Sequence, residues 1–369
     1  MRIAFYAPLK APDHPVPSGD RTMARALIAA LRKAGHVVEQ PSGLRSFLPT
    51  PDPDGQAALL AEATAEQARV ASAWTGEAPD LWFTYHNHYK APDLIGPALA
   101  QHFGSTYVLA EASHAPKRAA TWGAWHAAAE AASRAADLHV CFTPRDRLGL
   151  LPLVKPGAST LLLPPFIDVL PTAAGSTPRQ PGPARLVTVA MMRPGDKLDS
   201  YRFLAEALAI LTDRAWHLDV VGDGPARAAV QACFAACSAD RITWHGELGR
   251  DATQARLAAA DIFVWPGFGE AFGLAYLEAQ AAGVPVVALD TAGVGSVVQA
   301  GDTGILIAEA SVAAYGQAVR RLLDDTDAIT RMGGAARHFV TSERTLDGAA
   351  AILDKGLREA RHGKACRHG

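Results

Sequence analysis

The chain has 369 residues, of which 49% are hydrophobic and 20% charged, which describes a globular protein of about two domains and excludes a disordered or fibrous one. Lys and Arg number 35 against 37 Asp and Glu, so the net charge of −2 gives no global sign of nucleic-acid binding. The opening M-R-I-A-F-Y-A-P is too short for a signal peptide and no apolar run reaches the roughly 18 residues of a membrane span, so the cytoplasm is the expected compartment.

Arg2 to Ala7 reads as a first buried strand and Pro8 to Asp20 as a loop. Arg21 to Ala34 reads as a helix with Met23, Leu27, Ile28 and Leu31 inward and Gly35 as its stop. His36 to Glu39 begins a second strand, which makes a Rossmann-like opening, but the loop lacks Gly-x-Gly-x-x-Gly and so argues against NAD or FAD. A loop with prolines at 49, 51 and 53 leads into an alanine-rich helix, Ala57 to Trp74. Leu81 to Tyr85 is a strand that ends on His86-Asn87-His88. Two histidines at this spacing suit either a metal or the polar lining of a cleft, and no carboxylate or cysteine lies near them in sequence. Thr106 to Ala110 is the next strand, followed by Glu111 to Arg118, where Lys117 and Arg118 suit a phosphate or an ordinary surface equally. Asp137 to Phe142 and Leu161 to Phe166 are the last strands of this half. Pro164 to Pro183 is dense in Pro and Gly, as linkers are.

Arg185 to Ala190 starts the second half, and its following loop carries two cations four residues apart, Arg193 and Lys197. Ser200 to Thr212 is a helix. Trp216 to Val221 is a strand that runs into Gly222-Asp223-Gly224-Pro225, and Ile242 to Gly246 is a short strand. Cys233 and Cys237 lie at i,i+4 on a helix with no histidine pair at zinc spacing. Together with Cys141 and Cys366 they set no disulfide framework. Ala252 to Ala260 is a helix, and Asp261 to Trp265 is a buried strand. Pro266, Gly267 and Gly269 then break regular structure and let backbone approach a ligand. From about Phe272 the pattern is helical, with Leu274, Leu277 and Ala281 on one face, Gly283 as C-cap glycine and Pro285 after it. Val284 to Leu289 is a strand of the kind covered on both faces. Glu270 precedes this helix and Glu278 lies within it. A loop past the carboxyl end of a parallel strand is where open α/β sheets bind ligands, and the helix N-terminus suits a phosphate. Two carboxylates beside it suit a polyhydroxylated group, while an amphipathic helix with two solvated glutamates is the plainer reading. Gly301 to Ile307 leads to helices at Ala313 to Leu323, Ala328 to Phe339 and about Thr345 to Arg361, with His362 to Gly369 frayed.

Gly269-Glu270-x-Phe272-Gly273-Leu274, Glu278-Ala279 and Gly283-x-Pro285-Val286-Val287 together resemble the nucleotide-sugar site of retaining GT-B glycosyltransferases of family 4. The resemblance is specific from Arg185 to Ile307. It implies an α/β fold of two Rossmann-like doubly wound domains facing across a cleft, with a C-terminal helix crossing back to the first domain. The boundaries would be 1–170 on the acceptor side, a linker at 171–183, 184–342 on the donor side, and 343–369 for the helix.

By the same resemblance, Arg193 and Lys197 hold the donor diphosphate, Glu270 the sugar hydroxyls and Glu278 the ribose. His114 lies against the donor sugar or is a structural histidine. Catalysis falls to Glu270, Arg193, Lys197 and His114. Donor binding adds Gly19 in Ser18-Gly19-Asp20-Arg21, Gly222, Gly224, Gly269, Ala271, Phe272, Gly273, Leu274 and Glu278. Pro165-Phe166-Ile167-Asp168 resembles the family's proline-bearing turn ending in aspartate. Leu198 stands where members often have glycine, and Ser296 where they usually have glutamate. The expected partners are a nucleotide sugar and a glycan, lipid or small-molecule acceptor, with peripheral contact at the inner face of the membrane left open. No metal or cofactor is expected, because by the resemblance two cations face the diphosphate. A nucleotide-sugar epimerase and a non-catalytic sugar-nucleotide sensor are the rival readings.

Overall fold

The structure, a computed structural model, describes residues 1–368 apart from Pro17, Thr75 and 169–181. The chain divides into two compact units, Met1–Pro164 with Leu346–Gly369, and Pro165–Thr345. The linker expected at 171–183 lies outside the described residues except for its last two.

The first unit alternates strand and helix: β1 (Arg2–Tyr6), α1 (Gly19–Lys33), β2 (Val37–Glu39), α2 (Pro53–Ala73), β3 (Leu81–Tyr85), α3 (Gly96–His102), β4 (Thr106–Ala110), α4 (Ala119–Ala135), β5 (Leu138–Cys141), α5 (Pro144–Leu150) and β6 (Ser159–Leu162). All six strands are parallel, in the order β2-β1-β3-β4-β5-β6. Parallel strands need crossover helices on both faces, so β1, β3, β4 and β5 are mostly apolar and buried almost end to end. Ser18 starts α1 by accepting from the Arg21 amide, and Met23, Leu27, Ile28 and Leu31 bury one stripe of it.

The second unit repeats the plan: β7 (Ala184–Val189), α6 (Asp196–Ala209), β8 (Trp216–Val221), α7 (Arg227–Cys233), β9 (Ile242–Gly246), α8 (Arg250–Ala258), β10 (Ile262–Val264), α9 (Leu274–Ala281), β11 (Val286–Leu289), β12 (Gly304–Ile307), α10 (Val312–Asp324) and α11 (Thr326–Glu343). Its sheet is again parallel, in the order β12-β11-β10-β7-β8-β9. Leu186, Val187, Ile262, Phe263, Val264, Val286 and Val287 are fully buried at its centre. Each such side chain stabilises the fold by about 1.5–3 kcal/mol relative to exposure.

The last helix, α12 (Leu346–His368), belongs to the first unit and packs on α1, with Lys33 and Asp347 paired at 2.7 Å and Leu353 and Leu357 buried. It stays helical through 362–368, where fraying was expected, because Lys364 donates to the Ser105 carbonyl at 2.6 Å and pairs with Asp137 at 3.1 Å. Cys233 ends α7 and a 3-10 turn, Phe234–Ala236, precedes Cys237, so the two thiols do not share one helix; all four cysteines are free.

Candidate active site

The strand order of the second unit reverses direction at β7. One path runs through β8 to β9, the other through β10 and β11 to β12. The loops that leave β7 and β10 therefore flank the switch point, where open α/β sheets leave a crevice for ligand. These two loops carry Arg193 and Glu270, and the helix that follows the first, α6, carries Lys197.

Lys197 sits in the first turn of α6, half-buried, and its ammonium is hydrogen-bonded to Glu270 Oε1. The Trp265 indole donates to the same oxygen at 3.0 Å, and the Lys197 Nζ lies 5.5 Å from the Trp265 ring centroid. Trp265 is itself held edge-on by Tyr201 at 4.8 Å. Glu270 is thus oriented by two donors at one oxygen, and its second oxygen has no hydrogen bond among the described residues. Arg193 is half-buried in the loop before α6, and its carbonyl accepts from the Leu198 amide.

Glycines let these loops meet. Gly222 and Gly224, both with positive φ, press against the Ala190 and Met192 carbonyls in the loop after β7, where a Cβ would collide. Gly269 (φ 67°) leaves no room for a Cβ beside the Asp196 carboxylate, and Gly273 (φ 78°) lies over the Tyr276 ring. Ser200 closes the arrangement: its hydroxyl donates to the Asp196 carbonyl and accepts from the Phe268 amide at 3.0 Å. Trp265, Asp196, Ser200 and Tyr276 are the positioning residues that motif reading passed over. Their contacts cross between segments distant in sequence.

Gly273 is the N-cap of α9 and no side chain caps that helix. Its first-turn amides are the kind of donors a phosphate oxygen meets. Leu274 opens the helix, Phe272 is buried beneath the turn, and Ala271 is exposed. The helix ends in a Schellman arrangement, with the Gly283 amide bonded to Gln280 and that of Val284 to Ala279. Glu278 lies one turn in. Its carboxylate has no hydrogen-bond partner among the described residues, and burial pushes its pKa up to about 7, with Arg250 pulling the other way.

His114 and Gly19 belong to the first unit. His114 Nε2 lies 3.0 Å from Glu130 and Nδ1 lies 3.3 Å from the Gly149 carbonyl oxygen, so both ring nitrogens are engaged. Gly19 is the first residue of α1, with nothing near the place a Cβ would occupy. His86 is not on a strand with His88: β3 ends at Tyr85, His86 has a φ of 69°, and the two rings meet edge-on at 4.8 Å. The fold brings to His86 the carboxylates that its sequence neighbours lack, Asp20 at 3.1 Å among them. No group of three His, Cys, Asp or Glu among the described residues is arranged to hold a metal ion.

Over 97% of this chain and 98% of the other, the structure superposes on sucrose-phosphate synthase from Thermosynechococcus elongatus with a TM-score of 0.76 at 20% identity. An Anabaena protein solved in complex with UDP gives 0.72 at 17% identity, over 97% and 100%. The fold is GT-B. Residues 183–325 of this GT-B chain match the family described as glycosyl transferases group 1. A GDP-mannose-dependent mannosyltransferase of Mycobacterium tuberculosis, named for phosphatidylinositol monomannoside, is 38% identical over 149 residues, which are 38% of this chain and 39% of that protein. A D-inositol 3-phosphate glycosyltransferase of Streptomyces coelicolor is 28% identical over 77% of this chain and 71% of its own length. The chain thus spans less than half of the first of these relatives.

Proposed function

We propose that the chain is a retaining glycosyltransferase of family 4 that moves a sugar from a nucleoside-diphosphate sugar to a hydroxyl acceptor. The observation that carries this reading is the convergence of Lys197, Glu270 and the uncapped start of α9 at the switch point of one sheet. The names of the relatives, GDP-mannose-dependent in one case and UDP-bound in another, support a nucleotide donor.

In this account the bond between the anomeric carbon and the diphosphate oxygen breaks. The bond to the acceptor oxygen forms on the same face, and the acceptor proton passes to the leaving diphosphate. Arg193, Lys197 and the amides of α9 neutralise the charge that grows on that diphosphate, so these residues take on a metal's usual part. Glu270 accepts from sugar hydroxyls and Glu278 from a hydroxyl pair of the ribose. The acceptor is a glycan, lipid or small molecule, and the protein works in the cytoplasm, with access to a membrane surface if that acceptor is a lipid.

Incubation with UDP-glucose, GDP-mannose and ADP-glucose, followed by proton NMR, tests this. Slow release of nucleoside diphosphate with the α anomer of the free sugar appearing first is the expected result. First appearance of the β anomer contradicts retention. Epimerised nucleotide sugar without release assigns an epimerase, and no turnover of any donor assigns a binding protein.

A further inference from the structure

The candidate active site stands at the carboxyl ends of strands in the second unit. In the first unit a cavity of about 680 Å³ opens at the opposite edge of the sheet, at the amino ends of β3 and β4. Its volume lies within the roughly 300–1,000 Å³ of small-molecule sites. Pro79 and Asp80 before β3, Phe103 after α3 and Thr106 at the start of β4 form one side, and the last turns of α12 form the other. The acids at these strand starts serve the sheet. Asp80 Oδ2 accepts from the Arg2 amide at 2.8 Å, and Asp137 Oδ2 from the Tyr107 amide at 3.0 Å. The same carboxylates fasten α12, with Arg361 2.6 Å from Asp80 and Lys364 3.1 Å from Asp137.

Helical spacing splits the end of α12 into two stripes. Leu353, Leu357 and Ala360 are buried, and Lys364 continues their line to the Ser105 carbonyl at 2.6 Å. Arg358, Arg361, His362 and Ala365, at i, i+3, i+4 and i+7, form the adjoining stripe and line the cavity. The helix dipole does not account for the two arginines. It acts within the last turn, whereas Arg358 and Arg361 lie about three and two turns before His368.

Donors outnumber acceptors in this wall. Asp80 is the one carboxylate among the described residues that line the cavity, against Arg358, Arg361 and Lys364. Among the described residues Arg358 bonds through Nε alone, to both oxygens of Asp354 one turn back, and Arg361 pairs with Asp80 alone. A guanidinium carries five N–H donors, so most of them stay open, and both side chains are more than half exposed. Exposed ion pairs of this kind are weak, so an incoming oxyanion displaces little. It would meet guanidinium forks on one side and the apolar surface of Phe103 and Pro79 on the other. We propose, independently of the glycosyl-transfer reading, that this cavity is a second ligand site, for a small metabolite bearing phosphate or carboxylate groups, and that its occupant fastens the end of α12 to the amino edge of the first sheet.

Hydrogen–deuterium exchange of the full chain with pyrophosphate or citrate at matched ionic strength, with UDP run alongside, tests it. At saturation one or both anions should slow exchange of the amides at 358–366 by about tenfold or more. The anion that acts at the lower concentration tells whether the site prefers phosphate or carboxylate. Arg358→Gln removes a side chain whose partner lies on its own helix, so the variant should melt with the wild type. It should need about tenfold more anion for the same protection of α12, while any protection of α6 and α9 by UDP stays unchanged. Failure of both anions to slow exchange in α12 overturns the proposal, as does slowing confined to α6 and α9, or equal protection in Arg358→Gln. Failure of UDP to protect α6 and α9 counts against the donor reading instead.

Discussion

Glu270 and Glu278 share a motif but occupy different surroundings. Glu270 is held by Lys197 and Trp265, whereas Glu278 is desolvated without a hydrogen-bond partner among the described residues. The folded chain keeps the Glu278 proton up to about 7, above the ordinary 4.5. Between those values the folded state binds more protons than the unfolded one. The position therefore costs nothing below 4.5 and loses stability as pH rises through about 7. The cost above that pH is at most about 3 kcal/mol. Glu278→Gln should raise the melting temperature of the free protein above pH 7 and leave it unchanged near 4.5. A ribose hydroxyl pair would favour the charged form, so nucleoside diphosphate affinity should climb as pH rises through about 7, beyond the climb that the ligand's own phosphate produces. The variant should show only the ligand's part. Identical pH profiles for the two proteins would remove Glu278 from the site. Glu270→Gln, by contrast, should lower turnover of nucleotide sugar with little change in nucleotide affinity.

At the scale of elements, the site is a set of loops that glycines allow to touch. Gly222→Ala and Gly224→Ala place a Cβ on the Ala190 and Met192 carbonyls at positive φ, so each should cost more than about 2 kcal/mol in denaturant unfolding. Gly19→Ala meets nothing and should stay within about 0.5 kcal/mol. Equal costs at all three positions would contradict this packing. The same loops explain what could be read beforehand. The run from Trp265 to Asp290 was legible because glycine, proline and period all agree there, down to the C-terminal turn at Gly283. Three helices opening on proline or glycine were read short or missed. Helix α2 starts at Pro53 under an Asp52 cap, four residues before the expected Ala57, and α3 and α5 open on Gly96 and Pro144 and were passed over. Helix α4 hides behind Gly123, whose φ of 47° interrupts its pattern. Strand β6 lies at Ser159–Leu162 rather than 161–166, because the apolar run around Leu163 continues past the ladder. The pairing of His86 with Asp20 left no local trace, since the two are 66 residues apart and strand order alone unites them.

For the whole molecule, the chain builds a six-stranded parallel sheet twice, with a different strand order in each unit. The units end up unlike in chemistry: cations and an open helix start in the second, carboxylates around a histidine in the first. A sugar nucleotide has two needs, neutralisation of a diphosphate and recognition of hydroxyls, and the proposed function gives both to Arg193, Lys197, Glu270 and Glu278 of the second unit. The account stands on the first of them. Calorimetric titration of UDP, GDP and ADP into the wild type and Lys197→Ala is the most direct measurement. At least one nucleotide should bind the wild type, and the variant, still folded, should bind it more weakly by about tenfold to a hundredfold, as loss of one charge-assisted contact requires. Binding of none of the three, or equal binding by Lys197→Ala, would contradict the assignment of the diphosphate to the edge formed by β7 and β10.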